Sequence, residues 1–251
     1  MNALKYSEQS TIPLYLCDRH RELPLTMMIR IMLGVSGAQT DKFEDNLVNN
    51  YMKENDLTWI ILQYELNIKR QPKAGETINI ETYAAGYNRL FCYRYFNIYG
   101  EDGQKISDAL VTFAWINIKK RKMVRLNPDI MSIYGAPKED KIRRYTSPKR
   151  PDNNVAKATH FDIQYSDIDI NDHVNNTVYV EWAIDSLGID FVNTHQPTYL
   201  KIKFDKEVLE DQDVQVVSST TESGNKVLSK HIIMTALNEN ALLELTWKKR
   251  R

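Results

Sequence analysis

The chain has 251 residues with 33 basic and 33 acidic side chains, and 42% of its residues are apolar. This length fits one large domain or two small ones, and the balanced charge excludes a global field that would attract nucleic acid or a membrane. Two cysteines, Cys17 and Cys92, exclude a disulfide framework, and they lack metal-ligand spacing. Because no long apolar run and no signal-peptide pattern occurs, we expect a cytoplasmic protein without a membrane span.

The first half begins with a helix and continues as strands. Residues 23–39 are apolar around most of a helical circumference, which predicts a buried helix ending near Gly34 or Gly37. Residues 57–72 alternate between apolar and polar side chains, as a strand does. Further strands, separated by glycine-containing turns, are predicted within 77–126. The first half is therefore expected to be one helix followed by an antiparallel meander.

The same plan recurs after a segment that breaks the pattern. Residues 128–154 contain four prolines and many charges, which favours a linker. Residues 155–251 then predict a strand, a helix over 175–189 and a second meander. The strands of the two halves match in apolar phase at an offset of 136, although the helices do not keep that offset.

The repeat predicts an α+β fold of two tandem hotdogs, each a curved antiparallel sheet wrapped around a buried helix. The expected domains are an N-terminal hotdog at 1–127, a linker at 128–154 and a C-terminal hotdog at 155–251. Two such halves in one chain would form a pseudo-dimer, active either as a monomer or as a homodimer.

The stretch DIDINDHVNNTVYVEW at 167–182 is unusual because it gathers polar side chains at the start of an apolar helix. The unpaired N–H groups of a helix start favour a carbonyl oxygen that becomes an anion. The amide of Asn171 can donate to the same oxygen, His173 can carry a proton, and Asp169 can orient the group. These residues indicate acyl-bond hydrolysis, but Asp and Asn are equally typical of helix caps and turns.

The stretch resembles the signature of the acyl-acyl-carrier-protein (acyl-ACP) thioesterases, in which an Asp-x-Asn-x-His-Val-Asn-Asn core opens the helix of the second hotdog. The first-half sequence WIILQYELNIKRQPKAGETINIETYAAGYNRLFCYRYF also resembles bacterial members. The His-Val-Asn-Asn piece alone is shared with single-hotdog acyl-CoA thioesterases. The resemblance covers most of the chain in the order of the family.

The resemblance implies hydrolysis of fatty acyl-ACP to free fatty acid and holo-ACP, which terminates fatty acid synthesis. It places the catalytic residues at Asp169, Asn171, His173 and, in the run KFDKEV, Glu207. Val208 takes the place of a cysteine found in plant relatives, so a thiol nucleophile is impossible there. Either Glu207 or Asp169 could be the base, and Glu207 could act as a nucleophile. No metal or other cofactor is implied.

The first half is expected to lack this chemistry, because Gln71 occupies the repeat position of Glu207 and His20 is expected to be a solvated loop residue. The resemblance suggests that the first half supplies the acyl pocket. Its helix would contribute Met27, Met28, Ile31 and Met32. Plain core filling explains these residues equally well.

The partner implied by the resemblance is the acidic acyl carrier protein, with no nucleic acid. Basic runs at 119–122, 141–144 and 248–251 could attract it, although solvated turns and tails explain such runs equally well. Two other functions stay open from the sequence: an acyl-CoA thioesterase and a non-catalytic acyl-binding hotdog protein.

Overall fold

A computed structural model describes residues 3–43 and 46–250 of the chain. The chain separates into two compact units, the first ending at Tyr145 and the second beginning at Thr146. The boundary lies inside the segment for which the sequence predicts a linker. Each unit has its own set of paired strands and its own buried helix.

The first unit contains, among the described residues, six paired strands and three α-helices. Its elements are β1 (Tyr6–Thr11), α1 (Leu25–Asp41), α2 (Leu47–Glu54), β2 (Leu57–Ile68), β3 (Thr77–Tyr87), β4 (Phe91–Tyr99), β5 (Lys105–Asn117), β6 (Lys122–Val124) and α3 (Pro128–Ile133). The strand order is β1-β3-β4-β5-β2, and the short β6 pairs with β5. Every one of these pairs is antiparallel.

Helix α1 packs against β1 and β3 and buries one apolar face that includes Met28, Ile29 and Met32. The predicted end near Gly34 or Gly37 is wrong, because the helix continues to Asp41. Each glycine costs a helix interior about 1 kcal/mol relative to alanine, and burial of the neighbouring apolar side chains offsets that cost. No helix in the described parts of the chain is long and apolar enough to cross a membrane.

The second unit repeats the plan with a shorter helical region. Its elements are β7 (Lys157–Phe161), α4 (Asn176–Asp185), α5 (Ile189–Thr194), β8 (His195–Phe204), β9 (Val214–Ser223), β10 (Lys226–Met234) and β11 (Glu239–Lys249). The strand order is β7-β9-β10-β11-β8, again antiparallel throughout. Helix α4 packs against β9, β10 and β11.

The two units therefore share one topology, element by element. The first strand of each lies at a sheet edge, a helix follows it, and the remaining four main strands take the same places in the sheet. An antiparallel sheet packed on one buried helix, present twice, is the predicted tandem hotdog. The polar stretch at 167–182 occupies the connection from β7 into α4.

Hydrogen bonds link the buried side chains of Trp247, Ser229 and His231 to the half-buried Ser186 in the second unit. Trp247 Nε1 donates to Ser229 Oγ at 2.8 Å, and Ser186 Oγ donates to the main-chain O of Ala183 at 2.8 Å. Because the hydroxyl proton of Ser186 is used in that bond, Ser186 Oγ accepts from the Nδ1–H of His231 at 3.3 Å. The other ring nitrogen, Nε2, is then unprotonated and accepts from Ser229 Oγ at 2.8 Å. His231 is therefore a neutral imidazole, and its complete burial lowers its pKa to about 3.

Candidate active site

The polar stretch forms a tight loop between β7 and α4. The main-chain N–H of Asp169 donates to the main-chain O of His173 at 2.8 Å. The Asp169 carboxylate accepts from the main-chain N–H of Asn171 at 2.8 Å. Asp172 has a φ of 60°, in the left-handed region, which Asp tolerates better than most residues. The loop therefore presents positions 171 and 173 from a hydrogen-bonded backbone.

Asn175 caps helix α4. Its Oδ1 accepts from the main-chain N–H of Thr177 at 3.0 Å and from Thr177 Oγ1 at 2.7 Å. Its main-chain O accepts from the N–H of Val178 at 2.9 Å. For Asn175 the ordinary capping role is thus what the structure shows. The main-chain N–H groups of Thr177 and Val178, in the first turn of α4, are thus already hydrogen-bonded. The remaining polar side chains of the stretch precede the helix.

The structure brings His173 and Glu207 together although 33 residues separate them. His173 Nε2 lies 3.1 Å from Glu207 Oε2, and the two side chains are 20% and 39% exposed. Both are thus accessible to a small molecule while still shielded in part from water. A histidine that meets a carboxylate at hydrogen-bonding distance is the arrangement used for proton transfer.

A main-chain bond fixes the spacing of this pair. The N–H of Val174, next to His173, donates to the main-chain O of Val208, next to Glu207, at 3.0 Å. Val208 is completely buried, so this bond is shielded from solvent. The loop before α4 and the segment after β8 are consequently joined beside the contact between His173 and Glu207.

Asp169 and Asn171 lie on the same loop, and their side chains contact each other. Asn171 Nδ2 is 3.4 Å from Asp169 Oδ2, and Asn171 is exposed. Asp169 therefore uses one carboxylate oxygen for the turn and the other to face the amide of Asn171. This geometry leaves the Asn171 side chain at the surface of the site, where it can meet a substrate oxygen.

Tyr179, one turn into α4, is a buried phenol beside the two carboxylates. Burial, first, and the negative charges of Glu207 and Asp169 raise the pKa of Tyr179 well above its usual value. Its hydroxyl oxygen accepts from the main-chain N–H of Val208 at 2.8 Å. The phenol is thus neutral and is attached to the segment that carries Glu207.

Neither cysteine takes part in this arrangement. Cys92 is fully buried in the first unit, and burial raises the pKa of its thiol to about 11. Burial also raises the pKa of Cys17, which lies in the loop before α1. Both thiols are therefore protonated near neutral pH and poor nucleophiles.

The first unit contains the same loop with other side chains. The N–H of Asp18 donates to the O of Glu22 at 2.9 Å, and the Asp18 carboxylate accepts from the N–H of His20 at 2.9 Å. Arg21 has a φ of 59°, as Asp172 does in the second unit. Equivalent loop residues of the two units are thus 151 positions apart in the sequence, whereas equivalent residues of the strands after the helices are 136 positions apart.

The main-chain bond between loop and strand also has a counterpart, since the N–H of Leu23 donates to the O of Pro72 at 2.8 Å. Gln71 therefore lies at the structural position of Glu207, as predicted. Its side chain is buried and donates from Nε2 to the main-chain O of Leu23 at 2.7 Å. His20 is exposed, as predicted, and Glu22 stands where the second unit has His173.

Sequence reasoning missed two polar residues beside Glu207, Tyr179 and Asn240. A tyrosine in an apolar helix is typical of core, but its buried hydroxyl needs a hydrogen-bond partner, and that need was the available signal. Asn240 is completely buried at the start of β11, which its polar neighbours in the sequence do not indicate.

Comparison with known proteins agrees with this architecture. Residues 3–134 match the model of the acyl-ACP thioesterase N-terminal domain, and residues 150–249 match that of the acyl-ACP thioesterase C-terminal domain. Oleoyl-acyl carrier protein thioesterase 2 of Arabidopsis thaliana is 23% identical over 205 residues, which cover 77% of this chain and 55% of the relative. The chain thus spans about half the length of this curated relative.

Solved structures show the same fold. A Lactobacillus plantarum protein provisionally described as an oleoyl thioesterase superposes with a TM-score of 0.93 and 26% identity, covering 100% of this chain and 98% of its own. The 12:0-ACP thioesterase of Umbellularia californica superposes with a TM-score of 0.86 at 15% identity, covering 98% of this chain and 94% of its own.

Fold and site together define a double-hotdog protein with a histidine–carboxylate pair in its second unit. The two family models cover most of its length in the expected order. The chain belongs to the acyl-ACP thioesterase family, and the predicted fold and family are confirmed.

Proposed function

We propose that this chain hydrolyses fatty acyl thioesters of acyl carrier protein to free fatty acid and holo-ACP, ending fatty acid synthesis. The observation that carries the proposal is the 3.1 Å contact between His173 Nε2 and Glu207 Oε2 in the unit that matches the C-terminal domain of the family. A non-catalytic acyl-binding protein would have no need for a proton-transferring pair beside a helix start.

The proposed reaction uses a water molecule as the nucleophile. Glu207 takes a proton from the water as its oxygen bonds to the acyl carbon. The C–S bond then breaks, and protonated His173 gives its proton to the sulfur. An alkyl thiol has a pKa of about 8.5, so it is a good leaving group. The proton on Glu207 finally passes to His173 across their contact, which restores the starting state.

The remaining two residues support the oxyanion and the loop. Asn171 projects its amide from the surface of the site, where Nδ2 can donate to the carbonyl oxygen as it becomes negative. Asp169 positions that amide and the turn through its contacts with Asn171. We therefore assign the base to Glu207 and an orienting role to Asp169.

The proposed carrier docks through exposed positive charge. Lys141 and Arg144 are exposed. Arg143 lies between them but is engaged, because its guanidinium pairs with Glu139 and donates to the main-chain O of Ala85 at 3.2 Å. Docking is thus assigned to Lys141 and Arg144, and Arg143 is assigned to holding the segment. Two unpaired cysteines fit a cytoplasmic location.

The test is to compare acyl-ACP and acyl-CoA of one chain length by following release of the thiol. We expect turnover of both thioesters, with the higher kcat/KM for acyl-ACP, because the carrier protein offers an acidic protein surface to the exposed basic residues, whereas CoA offers only its phosphate groups. A preference for acyl-CoA would make the chain an acyl-CoA thioesterase. Tight binding of both without thiol release would show that it is not an enzyme.

A further inference from the structure

The segment that carries Glu207 has no regular structure of its own. Strand β8 ends at Phe204, and the next strand begins at Val214. Glu207 lies in this stretch with a partly exposed side chain. A loop carboxylate moves unless other groups fix the main chain around it. The question is therefore what fixes residues 206–208.

Asn240, at the start of β11, holds the segment on one side. Its Nδ2 donates to the main-chain O of Glu207 at 3.1 Å and of Lys206 at 3.4 Å. Its Oδ1 accepts from the N–H of Thr235 at 2.9 Å. The main-chain O of Asn240 accepts from the N–H of Asp205 at 2.8 Å. One completely buried side chain thus ties the Glu207 segment to the turn between β10 and β11.

Tyr179 holds the segment on the other side. Its hydroxyl oxygen accepts from the N–H of Val208, while the O of Val208 accepts from the N–H of Val174. The peptide group that links Glu207 to Val208 therefore has both of its polar atoms bonded: the oxygen to Asn240 and the nitrogen to Tyr179. Its orientation sets the direction in which the Glu207 side chain leaves the backbone.

The first unit shows that the fold does not require these two polar side chains. At the loop and helix offset of 151, Met28 takes the place of Tyr179. At the strand offset of 136, Pro72, which has no N–H, takes the place of Val208. The O of Ile106 accepts from the N–H of Lys69 at 2.9 Å, as the O of Asn240 does from Asp205. Ile106 thus replaces Asn240. The two residues that hold this segment are polar only in the second unit, where the segment carries the carboxylate of Glu207.

We propose that Tyr179 and Asn240 are positioning residues for catalysis, which orient the Glu207–Val208 peptide so that the Glu207 carboxylate meets His173. The inference rests on the function proposed for Glu207. Neither residue needs to touch the substrate for this role, so their effect should appear in kcat and only through Glu207.

The experiment is a double-mutant cycle between Tyr179→Phe and Glu207→Gln, assayed with acyl-ACP. Tyr179→Phe keeps the ring but leaves the Val208 N–H without its acceptor, and we expect kcat to fall about 10-fold with KM within twofold, since small misplacements of a reacting group are costly. In the Glu207→Gln background, Tyr179→Phe should cause no further loss. Asn240→Leu, which imitates Ile106, should behave in the same way.

Tyr134→Phe is the matched control, because Tyr134 is a buried tyrosine of the first unit whose hydroxyl bonds to Thr40 Oγ1 at 3.0 Å. It should lower thermal stability to a similar degree and leave kcat unchanged. A kcat within twofold of normal for Tyr179→Phe, or an equal loss in the Glu207→Gln background, would overturn the positioning role. If Asn240→Leu does not fold, the Tyr179→Phe cycle decides alone. If Glu207→Gln itself turns over normally, the role proposed for Glu207 fails first and the positioning role fails with it.

Discussion

The loops that enter α1 and α4 have the same backbone and different chemistry. In each, an Asp N–H bonds to a carbonyl four residues on, at 2.9 Å and 2.8 Å, and the Asp carboxylate accepts from the second N–H after it. The side chains that follow differ: His20 and Glu22 in the first loop, Asn171 and His173 in the second. The turn is therefore a scaffold, and the site depends on which side chains it carries.

An aspartate, Asp18 or Asp169, begins the turn in both loops. Asp18 accepts from the N–H groups of both His20 and Glu22, at 2.9 Å and 3.0 Å, in a unit that has Gln71 where the other has Glu207. Forming the turn is thus sufficient reason for an aspartate at this position. Asp169 shares that duty, which leaves Glu207 as the carboxylate with no counterpart in the first unit.

The largest expected effect comes from removing that distinctive carboxylate. Glu207→Gln keeps the size of the side chain but cannot take a proton at neutral pH, so kcat should fall about 10²–10⁴-fold, the usual contribution of such a group. Gln71→Glu, the reciprocal change, should create no activity, because Glu22 rather than a histidine stands at the position equivalent to His173. Steady-state kinetics with acyl-ACP measures both, and binding of a non-hydrolysable acyl analogue should survive in Glu207→Gln.

His173→Ala should be similarly damaging, and combining it with Glu207→Gln should cost much less than the product of the single effects, as for residues that act as one unit. Independent, multiplying losses would mean that the two side chains do not share a proton despite their contact.

A smaller effect is expected at the shared aspartate. Asp169→Asn retains an oxygen acceptor for the Asn171 N–H, so the turn should persist and kcat should fall by about 10-fold or less. Asp18→Asn in the first unit should have no effect on kcat and is the matched control. If Asp169→Asn abolished turnover while Glu207→Gln remained near normal, Asp169 would be the base and the assignment would be reversed.

Charge reversal should affect only the step that involves the carrier. Lys141→Glu combined with Arg144→Glu should raise KM for acyl-ACP several-fold, since steering depends on local positive charge, and should leave a short synthetic thioester unaffected. The same reversal at the exposed Lys157 and Lys226 of the second unit is the control. Equal changes in KM for both substrates would argue against docking at Lys141 and Arg144.

The smallest predicted effect is a difference between the two units in how acid lowers their stability. The pKa of His231 is about 3 in the folded state against 6.5 normally, so the unfolded chain takes up a proton that the folded chain does not. Stability should consequently fall as pH drops below about 6.5, by about 1 kcal/mol over the first unit of pH. Lowering the pH from 7 to 5.5 should increase the opening of β10 more than the opening of β4, as measured by hydrogen exchange. His231→Phe should weaken this pH dependence of β10.

The sequence predicted those parts of the site that are local. Asp169, Asn171 and His173 lie within five residues, and their spacing was enough to place them on one loop at a helix start. Glu207 could be placed only through the family resemblance, because nothing local links KFDKEV to that loop. The bond between Val174 and Val208 that joins them is a tertiary contact of two apolar residues, which sequence patterns do not reveal.

The fold was predicted better than its boundaries. The repeat of strands at an offset of 136 gave the two hotdogs, but the loops and helices repeat at 151 because α1 and α2 contain more residues than α4 and α5. A single offset therefore could not align both. The continuation of α1 past Gly34 and Gly37 was missed because local propensity was outweighed by the burial of its apolar face.

The bonds from Val208 to Tyr179 and to Val174 have a consequence for motion. Because Tyr179 belongs to α4 and Val174 lies in the loop before it, the main chain at Glu207 is hydrogen-bonded both to α4 and to the loop that carries His173. The helix and the loop after β8 should then shift as one rigid piece, with the acid–base distance preserved while other parts of the molecule open. Any opening that admits the proposed acyl substrate would thus leave the contact between His173 and Glu207 intact.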